Sequence, residues 1–309
     1  MESIRVTMRN YTGTGNMRVL VTGADGQLGH DVCREIGKEA IGIDISELDI
    51  TDRQMTLAYI DKLCPDAIIH CAAYTAVDMA EAKPDRCHSV NVLGTRWLAE
   101  AAKGIDAKFI YMSTDYVFDG ALDRPYETDD APNPLSVYGR TKLEGEDTVR
   151  NILEKYFIVR ASWIFGLAGN NFVKTILRLG REHGVVRVVA DQYGSPTYAP
   201  DLAKLLAAMI HSEKYGVFHA SNEGFCSWYD FARFVFEVSG LDAKVDPISA
   251  TEYPAAAVRP GNSRLSKKSL ADAGFAFLPT WQDAAAHFCC CSGTTAKCGS
   301  ACVNARVLR

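Results

Sequence analysis

Short apolar runs alternate with segments of helical periodicity from Met17 to about Arg160. The runs at 17–22, 40–44, 67–70 and 107–113 read as strands, being brief and almost uniformly apolar, as a strand covered on both faces must be. Between them, 27–37, 53–62 and 85–103 space their apolar residues like helices that bury one side. A further helix is predicted from Ser136 to about Leu153, after the turn-rich Asp129-Asp130-Ala131-Pro132-Asn133-Pro134, followed by a strand at 157–160. This alternation predicts right-handed crossovers and an α/β fold: a doubly wound, Rossmann-like parallel sheet. Beyond Trp163 the pattern loosens into loops around Gly166, Gly169, Gly194 and Pro196, with helices near 171–182, 200–212, 227–239 and 281–288. The chain therefore divides into a sheet domain over 17–160 and a smaller C-terminal, mainly substrate-binding part over 161–288 that is interleaved with the sheet. No internal repeat is evident.

Composition adds what the chain is not. With 309 residues, 48% hydrophobic and 23% charged, it is long enough for one large core and a smaller one. The net charge of −5 and the lack of Lys/Arg runs offer no basic surface to nucleic acid. Apolar stretches such as Ala67 to Ala73 are too short for a membrane span, and the N-terminus has no signal-peptide core, so a cytoplasmic protein is expected. Of the ten cysteines, Cys33, Cys64, Cys71, Cys87 and Cys226 lie in apolar segments and are expected in the core. Cys289, Cys290, Cys291, Cys298 and Cys302 crowd into the last 21 residues without C-x-x-C spacing or an intervening His, which argues against a metal site. Residues 289–309 are expected to form a Cys-rich tail and 1–16 a disordered extension, leaving 17–288 as a self-sufficient unit.

Candidate chemistry begins at the first strand. It runs into Gly23-Ala24-Asp25-Gly26-Gln27-Leu28-Gly29, whose glycines 23, 26 and 29 let backbone approach a pyrophosphate at the start of the following helix. Asp44 ends the second strand, 21 residues beyond Gly23, where an acid hydrogen-bonds the adenine ribose; the alternative is a solvated turn acid. An acid there favours a free ribose diol, so NADH use is expected unless a cation such as Arg53 turns toward a 2′-phosphate.

Thr114 and Asp115 stand at the carboxyl end of the fourth strand, where parallel sheets place ligands. Then comes Tyr138-Gly139-Arg140-Thr141-Lys142, in which one helical turn puts Tyr138 and Lys142 on one face. A lysine ammonium beside a phenol lowers the phenol pKa toward acid–base duty, and Thr114 would hydrogen-bond the same reacting oxygen. Y-x-x-x-K alone arises by chance on solvated helices. Behind a dinucleotide motif, it resembles the extended short-chain dehydrogenase/reductase superfamily.

Further segments narrow the resemblance to the dTDP-4-dehydrorhamnose reductase family, over Met17 to about His287: Glu47-Leu48-Asp49-Ile50-Thr51-Asp52, Ala72 to Asp78, Ser113 to Gly120, Asp191 to Thr197 and Arg259 to Ser263. The resemblance implies reduction of a nucleotide-sugar ketone by NADPH or NADH. It implies cofactor contact by Gly23, Gly26, Gln27, Leu28, Gly29, Asp44, Asp49, Ile50, Ala72, Ala73, Tyr74, Thr75, Tyr138 and Lys142, with Thr114, Tyr138 and Lys142 catalytic. Thr75, Val77, Thr114, Asp115, Trp163 and Arg259 would meet the substrate. On the residues alone, Trp163 reads as core and Arg259 equally as a phosphate ligand or a solvated cation. Asn91 is expected to tie a helix to a neighbouring strand. Some relatives bind Mg2+ at a dimer interface through glutamates; here Asp31 follows His30 and no further ligands stand out, so the metal is unsupported and a homodimer stays open. The alternatives are another nucleotide-sugar reductase or epimerase, and a non-catalytic regulatory subunit resembling that of methionine adenosyltransferase, against which the Thr114, Tyr138 and Lys142 set argues.

Overall fold

The computed structural model describes residues 17–294. Six parallel strands form the main sheet: β1 (Val19–Thr22), β2 (Ala40–Ile43), β3 (Ala67–His70), β4 (Lys108–Thr114), β5 (Tyr156–Ala161) and β6 (Gly216–His219), in the order β6-β5-β4-β3-β1-β2. Val19 pairs with Ala40 on one side and Ala67 on the other, so the direction of winding reverses between β1 and β3. That switch point opens a crevice at the carboxyl ends of the strands, where ligands bind in such sheets.

Strand alternation sorts the core. Val19, Val21, Ile69, Ile110 and Val159 point to the face covered by α1 (Gln27–Ile36) and α6 (Ala199–Ile210). Leu20, Ile68, Phe109, Tyr111 and Ile158 point to the opposite face, covered by α2 (Arg53–Leu63), α3 (Thr95–Gly104) and α4 (Val137–Ile152). A second core joins α5 (Phe172–His183), α7 (Trp228–Ser239) and α8 (Trp281–Cys291) around Phe165, Tyr198, Phe231 and Phe288. Both β6 and α6 come from beyond residue 161 yet belong to the sheet.

Several expectations need correction. The helix predicted over 85–103 is broken into Pro84–His88, a π-helical turn Ser89–Gly94 and α3. Gly94 lies so close to Ile50 that a Cβ there would meet Ile50 Cδ1 at 2.8 Å, and Asn91 is turned inward from this turn. The loop-rich stretch after Trp163 hides β6 and a parallel pair, Val185–Val189 with Lys244–Ile248. Of the five cysteines expected in the core, Cys87 and Cys226 are buried and Cys33, Cys64 and Cys71 half-buried.

The tail boundary also moves. α8 continues to Cys291, because Ala285, Phe288 and Cys289 recur on one helical face and Cys289 is 0% exposed in the second core. The Cys289 carbonyl also accepts hydrogen bonds from the Thr294 N–H at 3.2 Å and the Thr294 hydroxyl at 3.0 Å. Ending the chain at Phe288 is therefore expected to cost about 1–3 kcal/mol against ending it at Thr294, read as a lower Tm. The predicted extension 1–16 and the cysteines 298 and 302 lie outside the described residues. Among those described, no helix is long and apolar enough to cross a membrane.

Candidate active site

The switch-point crevice is a cleft of about 970 Å³. The glycine loop forms its floor. Gly23 has φ +69°, and a Cβ on it would lie 2.7 Å from the Ala72 amide nitrogen. A Cβ on Gly29 would lie 2.0 Å from the Gly23 carbonyl oxygen, so α1 can approach β1 only with glycine there. Gly26 is the N-cap of α1 and has no side chain to cap it, which leaves the first-turn N–H groups free to face an anion.

At the β2 end, the Asp44 carboxylate accepts from the Asp25 N–H at 3.0 Å and the Ile45 N–H at 2.8 Å, holding it beside the loop. Arg53, the cation that could have turned toward a 2′-phosphate, faces Glu100 at 3.3 Å and lies over the Trp97 ring. Asp49 opposes partial burial with bonds from the Thr51 N–H and hydroxyl and with Arg86 at 3.9 Å, and its carboxyl sits below the ordinary range. Arg86 lines the cleft and was not among the predicted residues. Asn91 accepts from the Tyr74 N–H at 2.8 Å and donates to Thr141 at 3.1 Å, so it ties the loop after β3 to α4.

The side chains expected to react come from β4 and α4. Ser136 caps α4 by accepting from the Gly139 N–H at 3.1 Å, which starts the helix just before Tyr138. Thr114, the last residue of β4, faces Tyr138. Burial pushes the Tyr138 phenol above its ordinary value, with the Thr114 hydroxyl pulling the other way. The expected lowering by Lys142 is not what the geometry gives: its Nζ lies 4.0 Å from the centre of the Tyr111 ring. Lys142 is buried, which lowers it to about 7, against the opposing charge of Glu146. A phenol that stays protonated suits a proton donor.

Glu146 belongs to no motif of the sequence, although it lies one more helical turn along the face of Tyr138 and Lys142. It is fully buried and bonds Ser113 Oγ at 2.5 Å, Arg160 Nε at 2.8 Å and Arg150 at 2.7 Å. One carboxylate thus locks α4 to β4, next to Thr114, and to β5.

The remaining wall holds Thr75, Val77, Asp115, Tyr116, Trp163 and Trp228. Asp115 is 3% exposed with one carboxylate oxygen unpartnered. Burial pushes it up to about 6 against hydrogen bonds from Ser263 and Thr114. Trp163 lines the cleft instead of vanishing into the core, and Trp228, also missed, stacks on it. All the predicted site residues line this cleft except Arg259, whose guanidinium is engaged by Asp78 at 2.7 and 3.2 Å. Its fork is therefore occupied, one step behind Tyr116. Asp31 lies buried on α1 with Arg34 at 3.0 Å.

A glycine-floored cleft at the switch point of a doubly wound sheet, lined by Thr114, Tyr138 and Lys142, defines an extended short-chain dehydrogenase/reductase. The family model described as RmlD substrate binding domain matches residues 17–291. A dTDP-4-dehydrorhamnose reductase of Aggregatibacter actinomycetemcomitans is 42% identical over 284 residues, covering 86% of this chain and 96% of that protein. One from Mycolicibacterium smegmatis is 41% identical over 86% of this chain and 83% of its own. The crystal structure of dTDP-4-dehydrorhamnose reductase from Bacillus anthracis in complex with NADP superposes with a TM-score of 0.87 at 42% identity, covering 89% of this chain and 99% of that one. The chain belongs to the dTDP-4-dehydrorhamnose reductase family.

Proposed function

We propose that the protein reduces the C4 ketone of dTDP-4-dehydro-L-rhamnose to the hydroxyl of dTDP-L-rhamnose, in the synthesis of nucleotide sugar for cell-surface polysaccharide. The observation that carries this is the meeting of Thr114, Tyr138 and Lys142 at the wall of one cleft whose floor is the glycine loop. The fit of a dinucleotide rests on that loop: Gly23 and Gly29 leave no space for a Cβ, and Gly26 leaves the α1 terminus open. Gly26, Gln27 and Leu28 would hold the pyrophosphate, Asp44 the adenine ribose, Asp49 to Ile50 and Ala72 to Thr75 the flanks, and Lys142 the nicotinamide ribose.

A reduced nicotinamide, when bound, supplies the hydride that goes to carbon. Tyr138 gives its phenolic proton to the ketone oxygen, while the Thr114 hydroxyl orients that oxygen and then stabilises the phenolate left behind. Asp115, Val77 and Trp163 would border the sugar, and Arg259, with its fork on Asp78, would offer the diphosphate only its remaining N–H groups. An assay following oxidation of NADPH or NADH with dTDP-4-dehydro-L-rhamnose tests the reading, and no turnover with either cofactor would sink it.

The cofactor choice turns on Asp44. With Arg53 turned to Glu100, the Asp44 carboxylate meets a 2′-phosphate with like charge, and NADH is expected to be used, with NADPH accepted as well. The ratio of kcat/KM for the two cofactors measures it. A preference for NADPH above about a hundredfold, or roughly 2.7 kcal/mol, would remove Asp44 from the ribose.

A further inference from the structure

We propose, resting on the reductase reading above, that Trp228 is a positioning residue for substrate: it holds the Trp163 indole as a rigid wall against which the hexose of the nucleotide sugar packs. Trp163 lies two residues beyond β5 with φ +50°. A bulky side chain rarely enters that region, and such a conformation persists only where its surroundings over-determine it. Here they do. Trp228 stacks on the Trp163 ring with centroids 3.6 Å apart and planes within 14°. On the opposite face, Gly194 abuts the indole: a Cβ there would lie 2.7 Å from Trp163 Cε2 and 2.8 Å from Cζ2. The Trp163 carbonyl is pinned by the Thr197 N–H at 3.2 Å.

Trp228 is itself fixed. It is the first residue of α7, directly after the capping box in which Ser227 and Asp230 bond each other's backbone N–H. Phe172 packs against it, with ring centroids 4.5 Å apart. Both indoles line the same cleft as Thr114, Asp115 and Tyr138. Trp228 and Gly194 cover the two faces of the indole between them, so Trp163 borders the cleft with its edge. A ring that is already immobile gives up no rotamer freedom when the sugar arrives, so rigidity converts into affinity. A lone indole at this position would have to be ordered at the moment of binding.

Two variants of the full chain displace the wall from different directions. Trp228→Leu removes the stacking partner, and Gly194→Ala pushes the Trp163 ring while leaving Trp228 in place. Wild type is expected to show the far-ultraviolet circular-dichroism couplet of two stacked indoles. Trp228→Leu should abolish that couplet and Gly194→Ala should alter it. In both, KM for dTDP-4-dehydro-L-rhamnose should rise about tenfold or more, with kcat and the Kd of NADPH within about twofold, and Trp228→Phe should restore most of the affinity by keeping a stack. If one variant does not fold, the other still decides. An unchanged sugar KM in a folded variant that has lost or altered the couplet would overturn the assignment, as would an equal weakening of sugar and NADPH, which marks a merely structural role. Wild type that neither turns over nor binds the dTDP sugar would defeat the function reading itself. Wild type that does both, with variants that match it, would defeat only the aromatic wall.

Discussion

Tyr138→Phe is expected to lower kcat by about 10²-fold or more while leaving the affinity for NADPH nearly unchanged. Only one oxygen is removed, and it is the one that faces Thr114 at the end of β4. The ring stays, together with its edge-on packing against Tyr116, whose centroid is 5.7 Å away. Hydride transfer would then leave an alkoxide without its assigned proton donor, the Thr114 hydroxyl only orienting it. Lys142→Met should behave differently, weakening cofactor binding as well as rate, because its ammonium is assigned to the ribose. The pH profile separates the two roles. Burial lowers Lys142 to about 7 in the free protein, so its charge is lost as pH rises through neutrality and the KM for cofactor should climb on that side. In Lys142→Met that rise should be absent. Equal turnover by wild type and Tyr138→Phe, with dinucleotide still bound, would remove Tyr138 from the chemistry and favour a binding subunit.

Glu146→Gln is expected to destabilise the fold by about 3–5 kcal/mol, because it leaves the guanidinium of Arg160 buried without its counter-charge. Arg160 is 1% exposed and Glu146 0%, joined at 2.7 and 2.8 Å, so water cannot compensate either group. Arg160 keeps only neutral partners, the Thr128 carbonyl and His219, each at 3.3 Å. Burial lowers His219 to about 3, so it stays uncharged near neutral pH. Replacing both partners, as in Glu146→Met with Arg160→Met, should cost much less than the single change, since neither charge is then stranded. Urea denaturation of the three proteins checks the order, and a double variant no more stable than Glu146→Gln would refute it. The pH sign follows from the same pair. Burial pushes the Glu146 carboxyl up, but Arg160, Ser113 and Arg150 together hold it below its ordinary value of 4.5. A carboxyl lowered in the folded state stabilises it fully above that ordinary value, and the contribution fades as pH falls through the lower folded value. Acid unfolding of wild type should therefore steepen below about pH 4.5, and the double variant should lack that component.

Local pattern carried a great deal of this molecule. The strands from Val19 to Ala161 were readable because a strand buried on both faces must be apolar at every position, and a run such as Ala67-Ile68-Ile69 has no other stable use. The glycine loop was readable because a Cβ at residue 23 or 29 would strike backbone, so steric necessity is written into residue type. Tyr138 and Lys142 were readable because a helix converts a spacing of four into a shared face. Contacts between distant segments left no such trace. β6 joins the sheet from residue 216, a placement set by pairing with Phe157 and Ile158, not by its own four residues. Trp228 meets Trp163, and Asp78 captures Arg259, across 65 and 181 positions of chain, and nothing in either neighbourhood announces the partner. The environment of Lys142 followed the same rule: spacing put it beside Tyr138, but the Tyr111 ring and burial, supplied by other elements, chose where its charge lies and how readily it is lost.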